Sequence, residues 1–114
     1  MRIDNRTRGT VLADRAMRAQ GWRGRMVGLL DRSALQPGEA LILMPCAGLH
    51  TFGMRFPIDI LLVDRALRVL RILQTVRPGR IATLRVCPGA IELAAGTVRA
   101  TGTVPGDQLI FSRD

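Results

Sequence analysis

Several residue types are scarce in this chain of 114 residues, which has one histidine, two cysteines, no tyrosine and no lysine. Cys46 and Cys87 form no Cys-x-x-Cys pair, so a redox motif of that type is absent and both are expected to be reduced thiols. No P-loop, dinucleotide-binding fingerprint or recognised catalytic triad occurs. These absences favour a non-catalytic binding or accessory domain over an enzyme, and we expect no cofactor.

Long apolar segments are also missing. The longest uncharged apolar stretch, residues 40–49, is still far shorter than the ~20 residues that a membrane-spanning helix needs. The polar, basic first 20 residues contain no apolar segment of signal-peptide length. We therefore expect a cytoplasmic protein without a membrane span, folded as one domain over residues 1–114.

Positive charge is abundant, because 17 basic residues, all arginine, outnumber 9 acidic residues and give a net charge of +8. A basic excess suggests an anionic partner, although solvated surfaces and biased codon usage also favour arginine. The N-terminal quarter holds the densest cluster: Arg2, Arg6, Arg8, Arg15, Arg18, Arg23, Arg25 and Arg32. Aromatic residues, which stack on single-stranded bases, are few. This scarcity counts against nucleic-acid binding, and a nucleic-acid-binding module that uses this cluster is kept only as an alternative function.

Turn signals and apolar patterning predict an α+β fold. Four Pro-Gly pairs, at residues 37–38, 78–79, 88–89 and 105–106, favour tight turns. Strands are predicted at residues 10–18, 40–44, 58–64, 68–75, 81–86, 90–94 and 108–112. Apolar residues at helical spacing predict one main helix at about residues 21–31, and a short second helix or turn is predicted at residues 97–101. The expected architecture is a mostly antiparallel sheet or a small β-barrel.

The chemistry-bearing residues are concentrated between Pro45 and Asp59. This segment contains the histidine, one cysteine and an acid inside an apolar strand. Its sequence His-Thr-Phe-Gly-Met-Arg-Phe-Pro-Ile-Asp, residues 50–59, is followed by Leu-Val-Asp at residues 62–64. Supporting blocks are Gly28-Leu29-Leu30 with Leu35, Ile91-Glu92-Leu93-Ala94-Ala95-Gly96, and Gly106-Asp107.

These blocks resemble the family called domain of unknown function 192, in the family's order and over about residues 9–112. The resemblance implies a compact bacterial or archaeal domain of mixed strands with few helices, and no established activity. Many members have an aromatic residue where Gly53 stands. His50 is typical of only one branch, so a role for it would not extend to the whole family.

Two interpretations of Asp59 remain open. A buried carboxylate needs partners, and Asp59 either accepts backbone N–H groups from the preceding loop or orients His50 or Arg55 in a cleft. Phe52, Met54 and Phe56 alternate in the same run and are expected to share one face, either in the core or in an apolar patch for a ligand.

Glu92 is the second acid with apolar neighbours on both sides. We expect it to pair with an arginine across the sheet, in preference to general acid catalysis. Two-carboxylate catalysis would require Asp59 and Glu92 to face one cleft. Asp107, in the Pro-Gly-Asp turn, is expected to accept backbone N–H groups.

Cys46 and His50 are weak candidates for metal ligands, with Met54 or Asp59 completing a site. A single Cys-x-x-x-His spacing is a poor match to known zinc sites, and a Cys–His nucleophile pair lacks an accompanying oxyanion-hole motif. We therefore predict no metal and no catalytic residue.

The sequence predicts a non-catalytic binding or accessory domain that uses residues 46–59 to contact an unknown protein or small molecule. The tentative binding residues are His50, Phe52, Met54, Arg55, Asp59 and Glu92. The alternatives are a small hydrolase with Asp59 and His50 in a cleft, and the nucleic-acid-binding module described above.

Overall fold

The structure is a computed structural model. It describes residues 1–18, 35–44, 49–50, 56–77, 81–82 and 88–113, with the backbone alone at 49–50 and 81–82. The strands are β1 (Arg2–Asn5), β2 (Thr10–Arg18), β3 (Gly38–Leu43), β4 (Leu49–His50), β5 (Ile58–Val63), β6 (Val69–Val76), β7 (Ile81–Ala82), β8 (Gly89–Ala94) and β9 (Leu109–Ser112). One short helix, α1 (Thr97–Thr101), lies between β8 and β9.

A seven-stranded mixed sheet forms the body of the described structure, in the order β6-β5-β8-β3-β2-β1-β9. Its pairs are antiparallel except for the parallel pair β2–β3. Strands β4 and β7 form a separate two-stranded sheet. The predicted α+β class with mainly antiparallel strands is therefore confirmed. The seven-stranded sheet is open, so the alternative of a small closed barrel is wrong.

The two edge strands nevertheless meet at one end of the sheet. Arg68, just before β6, forms an isolated antiparallel bridge with Gln108, just before β9. The backbone N–H of Leu109 donates to the carbonyl of Leu67 at 2.9 Å, and the N–H of Val69 donates to the carbonyl of Asp107 at 2.9 Å. These bonds hold the β5–β6 turn against the segment that leads into β9.

Two apolar clusters lie on opposite faces of the sheet, because alternate residues of a strand point to opposite sides. We call them the helix-side face and the second face. The helix-side cluster includes Ile42, Leu61, Ile91, Leu93 and Val98 of α1. The second face carries Leu35, Leu41, Leu43, Phe56, Ile58, Ile60, Leu62 and Ala90. The central strands β5 and β8 are buried along their whole length, as their nearly continuous apolar sequences indicate.

Most strand predictions agree with the structure within two residues, and the helix at residues 97–101 has the predicted bounds. Strands β1 and β4 were not predicted, since each has fewer than five residues and no clear alternation. Gly38 and Gly106 have the positive φ of the predicted turns, 92° and 95°. Gly89 does not share it because it begins β8. The predicted helix at about residues 21–31 lies outside the described residues.

No helix in the described part of the chain is long and apolar enough to cross a membrane.

Candidate functional site

The structure describes the side chains of two of the six predicted binding residues, Asp59 and Glu92. His50 ends β4, where only the backbone is described. Phe52, Met54 and Arg55, together with the metal-ligand candidate Cys46, lie outside the described residues. The predicted contact between His50 and Asp59 therefore stays a prediction.

Asp59 lies in the middle of the sheet, on β5, with 1% of its surface exposed. One carboxylate oxygen, Oδ1, accepts the backbone N–H of Thr75 at 2.8 Å. The other, Oδ2, accepts the backbone N–H groups of Gly96 at 3.1 Å and Val98 at 3.0 Å. Asp59 thus accepts backbone N–H groups, but from β6 and the start of α1; none of these three donors is in the preceding loop.

Each of these bonds holds an irregular backbone segment. The register of β5 with β6 shifts between Ile58 and Ile60, so that Gln74 and Thr75 together lie opposite Asp59 as a β-bulge. Gly96 is the N-cap of α1 and supplies no capping side chain, and Asp59 takes that role from a distant strand. Both oxygens of Asp59 are therefore occupied in maintaining the fold.

Glu92 lies in β8, directly opposite Leu41 of β3 and Ile60 of β5. Only 6% of its surface is exposed, and its buried Oε2 atom has no hydrogen-bond partner among the described residues. The residues directly opposite Glu92 are both apolar, so no arginine pairs with it at those two positions. Pairing with an arginine outside the described residues stays a prediction. Such an orphaned buried polar atom is rare in proteins and calls for an explanation.

Burial governs the ionisation of Glu92. Removing the carboxyl group from water disfavours its charged form and raises its pKa to about 8, from an ordinary value of 4.5. Glu92 is therefore mostly uncharged near neutral pH. In that state it carries one O–H donor and acceptor oxygens within apolar surroundings.

Asp59 and Glu92 point to opposite faces of the sheet. Asp59 is in register with Leu93 and Ile60 is in register with Glu92, and consecutive residues of a strand alternate sides. Asp59 faces α1 on the helix-side face, whereas Glu92 shares the second face with Leu41 and Ile60. The two carboxyl groups therefore cannot act together in one cleft, which excludes two-carboxylate catalysis by this pair.

The end of the predicted binding segment reaches the face of Glu92. Phe56 is buried in the second-face cluster with Ile58, Ile60 and Leu62, and Ile60 is the cross-strand neighbour of Glu92. Phe56, which leads into β5, therefore lies on the same side of the sheet as the carboxyl group of Glu92.

Asp107 is a second buried polar group, and the sequence predicts only part of its hydrogen bonding. Oδ2 of Asp107 accepts hydrogen bonds from the Asn5 side chain at 2.9 Å, the Arg8 side chain at 3.1 Å and the Val104 backbone at 3.0 Å. Burial alone would raise the pKa of Asp107, but these bonds outweigh it and lower the pKa below its usual value. The Pro-Gly-Asp turn predicted the backbone bond, whereas Asn5 gives no sequence signal.

Among the described side chains, no group of three or more His, Cys, Asp or Glu residues is placed to hold a metal ion.

Comparisons with known proteins give a family and a fold. A structure of a protein from Sinorhizobium meliloti 1021, provisionally assigned as a transcription regulator, is similar with a TM-score of 0.80 and 24% identity, covering 96% of this chain and 89% of that one. A protein of unknown function from Novosphingobium aromaticivorans DSM 12444 is similar with a TM-score of 0.74 and 23% identity, over 84% of this chain and 74% of that one. At these identities the likeness shows the fold alone.

No curated protein matches the chain in sequence. The model of the family DUF192, described as an uncharacterised ACR, matches residues 3–111. The chain therefore belongs to the DUF192 family.

Proposed function

We propose that this protein is a non-catalytic binding domain whose binding site is formed by residues 46–59 and the second face of the sheet, with Glu92 as its polar anchor. The observation that carries the proposal is that the buried Oε2 atom of Glu92 has no partner in the part of the chain that the structure describes. Burying a polar atom without a partner costs about 1–3 kcal/mol. A leucine at this position would remove that cost, so the acid is best explained by a group that it contacts in a complex.

The chemistry of Glu92 indicates the kind of ligand. An uncharged carboxyl group donates one hydrogen bond and accepts others, and a primary amide has the complementary pair of groups. The leucine and isoleucine side chains around Glu92 favour an apolar body on the same ligand. We therefore expect a small molecule or a partner side chain that combines an apolar body with an amide-like end.

Catalysis receives less support from the described residues. In the hydrolase alternative Asp59 acts in a cleft, but both of its oxygens accept backbone N–H groups. Withdrawing Asp59 from those bonds would release the bulge in β6 and the cap of α1. A general base must instead be free to approach the substrate proton.

Butyramide is a suitable first probe, and ligand-detected saturation-transfer NMR at pH 6.5 measures its binding at millimolar concentration. We expect a signal with the wild-type protein that falls at least about fivefold in Glu92→Leu, because the hydrogen-bonding end of the probe loses its partner. Asp14→Asn, which neutralises an exposed acid, is the matched control and should bind as the wild type does. N,N-dimethylbutyramide lacks the N–H donors and should bind more weakly than butyramide.

The contribution of residues 46–59 is tested in the same experiment with His50→Ala. The proposal predicts a weaker butyramide signal without a loss of folding stability. Equal signals for the wild type and Glu92→Leu, or no signal with either protein, would contradict the proposal.

A further inference from the structure

Four arginines from two distant parts of the chain meet at the end of the sheet where β6 and β9 approach each other. Arg6 and Arg8 lie in the β1–β2 turn, and Arg65 and Arg68 lie in the β5–β6 turn. All four are exposed. We call this group the arginine end. Residues 6 and 65 are far apart in sequence, so the patterning of arginines along the chain does not reveal it.

Gln108 holds the two turns together. Its carbonyl accepts the backbone N–H of Arg6 at 2.8 Å, and its own N–H donates to the Thr7 hydroxyl at 2.8 Å. Its side-chain amide donates to the carbonyl of Ala66 at 2.6 Å. The backbones that carry the arginines are therefore fixed before any partner binds, which reduces the entropy lost on binding.

Arg6 and Arg68 flank Gln108 in one row. The β1–β9 ladder places Asn5 opposite Leu109, so its next position places Arg6 opposite Gln108. The isolated bridge places Arg68 opposite Gln108 on the other side. Directly opposite residues share a face, and the two arginines are therefore two strand spacings, about 10 Å, apart on the solvent side.

The local charge balance remains positive. The described acids at this end are Asp64, whose Oδ1 accepts the backbone N–H groups of Ala66 and Arg68, and Asp107, which is buried and bonded to Arg8. Within the described residues Arg6 and Arg65 have no ion-pair partner. By contrast, Arg2 and Arg15 of the N-terminal cluster pair with Asp4 and Asp14.

We propose that the arginine end binds the phosphate backbone of a nucleic-acid duplex. Arginine forks match phosphate oxygens in geometry and charge. The two described phenylalanines, Phe56 and Phe111, pack on the apolar clusters, which leaves no described aromatic side chain at this end for stacking on single-stranded bases. Binding through phosphates alone is independent of sequence and strongly dependent on salt. This surface is separate from the face of Glu92.

The test is fluorescence anisotropy with a labelled 20-base-pair DNA duplex, titrated with protein at several salt concentrations. We expect binding with a Kd on the order of 10⁻⁵ M near physiological salt. The double variant Arg6→Ser/Arg65→Ser should bind at least about tenfold more weakly. The slope of log K against log salt should become shallower by about 2, since each phosphate contact contributes about 0.9.

Arg18→Ser/Arg113→Ser is the matched control, because it removes the same charge from exposed positions at the far ends of β2 and β9. It should leave the slope unchanged and alter affinity by less than about threefold. Equal losses in the two double variants would overturn the proposal, since only net charge would then matter. Wild-type protein that shows no salt-dependent binding would also overturn it. The proposal would also be overturned if binding to phosphatidylglycerol vesicles depended on Arg6 and Arg65 as strongly as binding to DNA does.

Discussion

Asp59 and Glu92 are neighbours in the sheet, yet their surroundings assign them different roles. Asp59 accepts three backbone N–H groups, whereas Oε2 of Glu92 has no partner within the described ranges. Hydrogen bonds to a carboxylate offset the cost of burying it, and their absence leaves that cost in place. Asp59 therefore stabilises the fold, and Glu92 is the residue to which the proposed function gives the ligand.

Asp59→Asn should destabilise the protein strongly. The substitution replaces one acceptor oxygen with an NH₂ group that faces a backbone donor, and it removes the charge that strengthens the remaining bonds. We expect a loss of about 3 kcal/mol in the free energy of unfolding. Urea denaturation measures it as a lower midpoint with an unchanged m-value.

Asp64→Asn is the control for this change. The carboxylate of Asp64 also accepts two backbone N–H groups, but these hydrogen bonds are exposed to water. The loss of the Asp64 carboxylate should lower the free energy of unfolding by about 1 kcal/mol. Similar costs for the two variants would show that Asp59 does not have the structural role described above.

At the scale of elements, the β-bulge in β6 is the feature that is hardest to predict from the sequence. Thr75 has a positive φ of 50°, which is rare for a β-branched residue. Its N–H is the donor to Oδ1 of Asp59. The strained backbone at Thr75 is thus held by a carboxylate on the neighbouring strand, and no local pattern in residues 69–76 indicates it.

Thr75→Gly should stabilise the protein by about 1 kcal/mol, because glycine adopts a positive φ without a steric penalty. Thr75→Ala also removes the side-chain atoms beyond Cβ, but it keeps the Cβ atom and with it the steric penalty of a positive φ. It should therefore give no comparable gain in stability. Thermal unfolding of the two variants measures the difference. A Thr75→Gly protein no more stable than Thr75→Ala would show that the bulge is not strained.

Local patterning predicted the elements better than their assembly. The apolar sequence of β5 and the Pro-Gly turns indicated strands and their limits, because burial and turn geometry depend on adjacent residues. The opposite orientations of Asp59 and Glu92 depend on the pairing register of β5 with β8, which local sequence does not specify. The arginine end depends likewise on the bridge between Arg68 and Gln108.

At the scale of the whole molecule, polar contacts join the ends of the chain. Asn5 donates to Thr103 at 3.1 Å and to Asp107 at 2.9 Å, which connects β1 to the segment between α1 and β9. The lowered pKa of Asp107 means that its folded form favours the carboxylate. The stability that Asp107 contributes is complete at a pH above the pKa that aspartate has in the unfolded chain, near 3.9. It is lost as the pH falls through the lower pKa that Asp107 has in the folded protein.

Glu92 has the opposite effect on the pH dependence of folding. Its raised folded pKa means that the native state holds a proton that the unfolded chain releases between about pH 4.5 and pH 8. The stability that protonated Glu92 contributes is therefore fully present at a pH below the pKa of glutamate in the unfolded chain. It is lost as the pH rises to the pKa of Glu92 in the folded protein. Each unit of difference in pKa corresponds to about 1.4 kcal/mol.

The most direct test of the central claim, that Glu92 is buried and uncharged at neutral pH, compares the unfolding free energies of the wild type and Glu92→Gln from pH 4 to pH 9. Glutamine has nearly the same shape and does not titrate, so the difference between the two proteins isolates Glu92. We predict that the wild type loses roughly 5 kcal/mol relative to the variant between pH 4.5 and pH 8. A difference that stays constant over this range would contradict the account.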